Sequence, residues 1–262
     1  FERRIIEHQF GSLRLKAVIA DHIAELWYDK DCLEIPWLLF LKQHALKSGG
    51  RVFDLGAHQA IVALQLADAV SPGGHVIAVE ANPHNADIAA QNVKLNQGAV
   101  TVLHCAIAAE NGSIIFNNSL NGQVATGVRT HGRSEVPART VDSLTAEFGQ
   151  PDLIFMDIEG FECEALKGAR QTLEKPCNAF IAVHGGCGLE RFGGSNESIL
   201  KFFPTERYAL FYSPDDEHTP FEPLGTRDLR EGSLWFLIAL DKNSGHTRLE
   251  QPSALPLHST GT

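Results

Sequence analysis

The chain has 262 residues and a formal net charge of −10, from 22 Lys and Arg against 32 Asp and Glu. Such a length suits one large α/β domain, and the acid excess argues against a nucleic-acid backbone as substrate, where affinity rests on clustered Lys and Arg. No apolar run approaches the ~20 residues that cross a bilayer, so a soluble protein without a membrane span is expected. Cys32, Cys105, Cys163, Cys177 and Cys187 are odd in number and contain no Cys-x-x-Cys pair, so free thiols in a reducing, cytoplasmic setting are expected.

Residues 1–48 read as an N-terminal extension that ends in a helical cap. Within 34–46, Ile35, Leu38, Leu39, Leu41, His44 and Ala45 recur near helical spacing, placing a helix over a ligand mouth or against the sheet edge. A domain spanning 49–240 follows. Its first strand, 51–55, breaks at Gly56, and a helix over 59–69 runs to the stop signal Ser71-Pro72-Gly73-Gly74. A strand at 75–79 leads into Glu80, then a helix over 83–95 and a strand at 100–104. Short extended segments at 114–116 and 135–139 flank 117–133, a polar stretch read as a mobile acceptor loop. In Thr140-Val141-Asp142-Ser143-Leu144, Asp142 reads as a helix cap, a role Ser143 shares. Then come a strand at 153–156, a helix at 163–173, a strand at 179–183 ending in His184, a helix at 195–203, and strands at 208–212 and 234–240. The stretch 241–262 loses apolar periodicity and gathers Ser, Thr, Pro and His, as a disordered tail does. The expected fold class is α/β: a doubly wound, mostly parallel seven-stranded sheet with helices on both faces and an N-terminal helical cap.

Strand, tight turn and helix around Gly56, with a carboxylate at the tip of the second strand, form a nucleotide-type pocket. Glu80 there can accept from both hydroxyls of a ribose. The turn itself selects the cofactor. A pyrophosphate needs Gly-x-Gly-x-x-Gly amides with no acid beside them, whereas this chain reads Asp54-Leu55-Gly56-Ala57-His58-Gln59-Ala60. An acidic turn suits the sulfonium and ammonium of S-adenosylmethionine and disfavours a nicotinamide oxidoreductase. The expected cofactor-binding set is Asp54, Gly56, Ala57, His58, Glu80, Ala81, Asn82, Ala106, Ile107 and Asp157, with His58 opening the helix near the donor's carboxylate. Ala106 and Ile107 would seat the adenine edge.

Asp157 and Glu159 leave the end of the fourth strand on the same rim as Gly56 and Glu80. They cap the following helix or face a cation: the donor's positive groups, a divalent ion or an acceptor amine. Two carboxylates at alternate positions are too few to predict a metal site, so none is expected.

Asp54-Leu-Gly-Ala, Val79-Glu80-Ala-Asn-Pro83, Arg139-Thr-Val-Asp142-Ser-Leu144 and Met156-Asp157-Ile-Glu159-Gly-Phe-Glu162 with Leu166-Lys-Gly-Ala169 together resemble the FkbM-type methyltransferases, in that order and at similar spacings. The resemblance covers about residues 50 to 185. It implies a class I methyltransferase fold and transfer of a methyl group from S-adenosylmethionine, most often to oxygen on sugars and polyketide-like molecules. Two departures stand out: Ala60 where the family's turn commonly has Gly, tolerable at negative φ, and Phe155 where its fourth strand usually has Lys, a charge removed near the carboxylates. The expected catalytic residues are His184 as general base, Asp157 as its rival, and Glu159 orienting the base or the acceptor. The resulting expectation is an O-methyltransferase for a small-molecule or carbohydrate hydroxyl. The alternative is a donor-binding scaffold or sensor without turnover. Acceptor identity and oligomeric state stay open.

Overall fold

The computed structural model describes residues 1–32, 35–117, 123–124, 133–214 and 219–245. Most of the 117–133 acceptor loop and residues 246–262 of the expected tail lie outside them. In chain order the elements are β1 (Arg4–Phe10), β2 (Leu13–Ile19), α1 (His22–Tyr28), α2 (Pro36–His44), β3 (Arg51–Leu55), α3 (Ile61–Ala69), β4 (His75–Glu80), α4 (Pro83–Asn96) and β5 (Val100–His104). Then follow β6 (Ala106–Ile107), β7 (Gly112–Asn117), β8 (Gln123–Val124), β9 (Arg133–Arg139), α5 (Val141–Phe148) and β10 (Leu153–Met156). The last third holds α6 (Glu162–Lys167), α7 (Arg170–Glu174), β11 (Asn178–His184), a 3-10 turn (Leu189–Phe192), α8 (Asn196–Leu200), β12 (Tyr208–Pro214), β13 (Glu222–Pro223) and β14 (Leu234–Asp241).

The main sheet has the order β13-β12-β14-β11-β10-β3-β4-β5. Its middle, β11-β10-β3-β4-β5, is parallel, and β14, β12 and β13 add on antiparallel. The seven expected strands are all in it; the eighth is the two-residue edge strand β13. Burial on both faces explains the near-continuous apolar runs in β3 and β10. Alternation along them deals side chains to two cores: Val52, Leu153 and Phe155 to one face, Phe53, Leu55, Ile154 and Met156 to the other. A second sheet, β6-β9-β7-β8, stands beside the first.

The N-terminal extension differs from the helical cap expected for it. It opens with the β1–β2 hairpin, because Leu13, Leu15, Ala17 and Ile19 alternate with Arg14, Lys16 and Val18 at the period of a strand. Asn92 and Asn96 of α4 dock this hairpin: Asn92 Oδ1 accepts from Val18 N at 2.8 Å, and Asn96 bonds both backbone groups of Lys16. Helix α2 packs on the sheet and not over the ligand mouth, with Trp37 5.0 Å from Phe155 and 5.5 Å from Phe180.

Three local expectations are corrected. Thr140, not Asp142, caps α5, accepting from Ser143 N at 3.0 Å. Asp142 reaches across to the start of α7, where it accepts from Gln171 N, Thr172 N and Thr172 Oγ1. The single helix expected over 163–173 is split at Gly168 and Ala169, and the backbone at Gly168 lies so close to the Ala108 carbonyl oxygen that a Cβ there would be 2.4 Å from it. Asp241, placed at the head of the tail, is the final residue of β14; it is fully buried and holds Arg207 at 2.6 Å. Among the described residues no helix is long and apolar enough to cross a membrane, and no disulfide joins any of the five cysteines.

Candidate active site

From β3 the chain winds outward through β4 and β5, then returns to β10 on the other flank of β3. The crevice where strand order reverses lies outside the carboxyl ends of β3 and β10. Gly56 is the hinge of that crevice. Its φ is +94°, and a Cβ would lie 1.8 Å from the Asp157 carbonyl oxygen, so the turn after β3 nests directly on the turn after β10. The cleft there is open to solvent on one side.

Of the expected cofactor residues, Gly56, His58, Glu80, Ala81, Ala106, Ile107 and Asp157 line the cleft. Asp54, Ala57 and Asn82 are buried and do not line it. Asn82 is instead the N-cap of α4, accepting from His84 N at 2.9 Å. The cleft also takes Trp27, Asn85, Phe116, Ile158 and Phe161, which sequence reasoning did not assign. For Trp27 a signal was available, since Asp21 ahead of Ala24 and Glu25 has the pattern of a capped helix.

Both oxygens of Glu80 accept backbone N–H groups, from His58 at 2.8 Å and Asn82 at 2.7 Å, which locks the carboxylate between the two turns. Each oxygen retains lone-pair capacity for a further donor. Burial pushes its pKa up to about 7, the backbone bonds oppose this, and Asp157 adds to the rise. Asp54 is 1% exposed with no partner on Oδ2 among the described residues; burial, then Asp157 and Glu80, hold its carboxyl well above the usual range. His58 adopts φ +46°, stacks 5.0 Å from Trp27 and bonds Tyr28 through Nδ1 at 2.8 Å. Burial lowers its pKa to about 4, so the ring is neutral at physiological pH.

One network holds α1 against this turn. Asp21 caps α1 through Ala24 N, accepts from fully buried Gln59 at 2.8 Å, and pairs with His84 at 2.8 Å. Burial alone would raise the Asp21 pKa, but these bonds bring it below its ordinary value.

On the opposite rim, the fold brings Asp157, Glu159 and His184 together. His184 Nε2 lies 3.3 Å from Asp157 Oδ1 and 3.8 Å from Glu159 Oε2. Its Nδ1 faces Glu162 Oε1 at 2.8 Å and the Ala182 carbonyl at 3.1 Å. Burial lowers the pKa of this ring, yet Glu162, Asp157 and Glu159 raise it further, to about 9. The free ring is therefore protonated at neutral pH, which corrects the expectation of a base tuned near neutrality.

The two family departures fall elsewhere than expected. Ala60 is fully buried at φ +64°, the left-handed region, so the negative φ assumed for it does not hold. Phe155 stacks on Phe180 at 4.3 Å in the core, and its register partner is Asp54 of β3. The lost charge thus concerns buried Asp54 and not the rim carboxylates.

A model of the methyltransferase FkbM domain matches residues 54–209, a span that runs from Asp54 through the whole rim to β12. The chain belongs to the FkbM methyltransferase family. S-adenosylmethionine is the methyl donor of this family, and the cleft fits it: Glu80 held between two backbone turns, and apolar Ile107, Phe116 and Phe161 in the walls, with the buried Asp54, whose Oδ2 has no hydrogen-bond partner among the described residues, behind the turn. Over 119 residues the chain is 29% identical to the hexuronic acid methyltransferase AglP of Haloferax volcanii, covering 44% of this chain and 50% of that protein. The match thus spans half the length of this relative. An FkbM methyltransferase of known structure from Methylobacillus flagellatus aligns with a TM-score of 0.49 at 20% identity, over 73% of this chain and 44% of that one. A SAM-dependent O-methyltransferase of Thermotoga maritima aligns with a TM-score of 0.45 at 16% identity, over 91% and 77%.

Proposed function

We propose that this methyltransferase acts on oxygen, methylating a hydroxyl of a small molecule or carbohydrate. The observation that carries the reading is the Asp157, Glu159 and His184 group on the rim of the donor cleft, polar chemistry placed where an acceptor would enter. The relative named for a hexuronic acid supports a carbohydrate acceptor, and the net charge of −10 speaks against nucleic acid.

Gly56, Glu80, Ala81, Ala106 and Ile107 would hold the donor, Glu80 through the ribose hydroxyls, with Asp157 favouring its positive groups. When bound, the donor supplies an activated methyl group on a sulfonium leaving group. The chain's own work is positioning: the acceptor oxygen must be held ~3 Å from the methyl carbon in a water-poor cleft. His184, whose Nε2 lies 3.3 Å from Asp157 Oδ1, orients Asp157. Asp157, about half exposed, then takes the acceptor's proton, and Glu159 holds a neighbouring hydroxyl.

The test is to incubate the purified chain with S-adenosylmethionine and a panel of uronic acids, neutral sugars and hydroxylated small molecules. S-adenosylhomocysteine release with an acid-stable, base-stable methyl ether on the acceptor is the expected result. A methyl ester in place of the ether would overturn the hydroxyl reading, and donor binding without turnover over the whole panel would favour a scaffold.

A further inference from the structure

Asp157 and Glu159 come from the turn after β10 and His184 from the end of β11, and each offers one ligand atom within 4.8 Å of the others. Ligands at ~2.1 Å from a divalent ion sit ~3 Å apart when adjacent in an octahedron. The 3.3 Å between His184 Nε2 and Asp157 Oδ1 is near that spacing, and the 3.8 Å to Glu159 Oε2 closes with a small rotation of the glutamate side chain.

A second observation concerns the far side of the imidazole. His184 is 5% exposed, and its Nδ1 is taken by Glu162, which is fully buried. The same Glu162 Oε1 also accepts from Gly160 N at 2.9 Å, so one buried carboxylate ties the Glu159–Gly160 turn to the ring. A buried carboxylate that fixes the outer nitrogen and leaves the inner one facing oxygen ligands is the supporting arrangement of metal-bound histidines. An ordinary surface acid cluster has no such backing.

We propose that His184 Nε2, Asp157 and Glu159 bind one divalent cation of the Mn²⁺ class, with Glu162 as the positioning residue behind His184. One imidazole nitrogen and two carboxylate oxygens leave coordination positions open. An acceptor bearing adjacent hydroxyls fills two of them. The ion lowers the pKa of the bound hydroxyl, whose proton passes to the Asp157 carboxylate and on to solvent. As the oxygen–carbon bond forms, the carbon–sulfur bond breaks and its electron pair stays on sulfur. The ion site stands on side-chain geometry alone; its role toward the acceptor rests on the hydroxyl-methylation reading above.

Chelator-stripped protein titrated with Mn²⁺, with free ion counted by electron paramagnetic resonance, tests the site without donor or acceptor. Saturation at one ion per chain is expected, with affinity falling at least tenfold in Glu159→Gln. Glu162→Gln should bind ~10–100-fold more weakly at unchanged stoichiometry. Glu159 is on a partly exposed turn, so its variant tests the site even where the buried Glu162 variant does not fold. Failure of wild-type protein to deplete free Mn²⁺, or equal affinity in Glu159→Gln, would overturn the ion site. S-adenosylhomocysteine titrated into the same metal-free sample reads the donor cleft separately, so donor binding without Mn²⁺ binding removes the ion and leaves methyl transfer standing.

Discussion

Gly56 carries two constraints on one residue. Its φ of +94° strains any side chain, and the Asp157 carbonyl oxygen occupies the space a Cβ would need. Gly56→Ala is therefore expected to cost ~3 kcal/mol or more and to abolish S-adenosylhomocysteine binding, because either β3 or β10 must move. Urea unfolding at unchanged m-value checks the first part and calorimetry the second. This glycine was legible in the sequence as a strand-ending turn beside a ligand. Its second reason was not, since the register of β3 on β10 brings together residues a hundred positions apart. Ala60 shows the same limit: nothing local announces its φ of +64°. His184 was legible as a polar residue at a strand end, but the three carboxylates that set its charge come from the segment after β10 and are aligned only by the parallel pairing of β10 with β11.

At the scale of elements, α1 is held over the cleft by side chains rather than by its own length. Seven residues form a marginal helix alone, and Asp21 supplies its cap while fastening it to Gln59 and His84. Asp21→Ala is expected to destabilise the chain by ~2 kcal/mol, through the lost cap and the stranded Gln59 amide, and to weaken donor binding as Trp27 leaves the cleft wall. Asp21→Asn, which keeps a capping oxygen, should recover most of the stability in thermal unfolding. Helices α3 and α4 were readable from periodicity because their apolar faces are long. The hairpin carries a local strand signal in the Leu13–Ile19 alternation, whereas α1 is short; both owe their place on the domain to Asn92, Asn96 and Asp21, polar residues whose partners lie 38 to 80 positions away.

For the molecule as a whole, the buried acids of the cleft make stability depend on pH. Glu80 titrates near 7 in the folded chain against an ordinary 4.5, mainly through burial. Asp157 faces it and adds to the rise, Asp54 beside it is itself pushed up by burial, burial lowers the pKa of neighbouring His58, and Tyr28 lies within reach of its field. Between those two values the folded chain holds a proton that the unfolded chain releases, so this contribution stabilises as pH falls. Taking wild-type protein from about pH 7.5 to about pH 5.5 should add ~2 kcal/mol relative to Glu80→Gln over the same interval. Equal pH profiles for the two proteins would show that the carboxylate is solvated and the cleft open. By itself the sequence determined the α/β alternation, the mostly parallel sheet, the donor turn and the family, because each is written in local periodicity or in a motif of a few contiguous residues. Only the tertiary structure decided where the N-terminal hairpin docks, that α1 and not α2 walls the cleft, and that His184 meets Asp157 and Glu159 before a buried Glu162. Those are contacts between distant segments, and their partners are chosen by strand register and packing, which no local stretch of sequence carries.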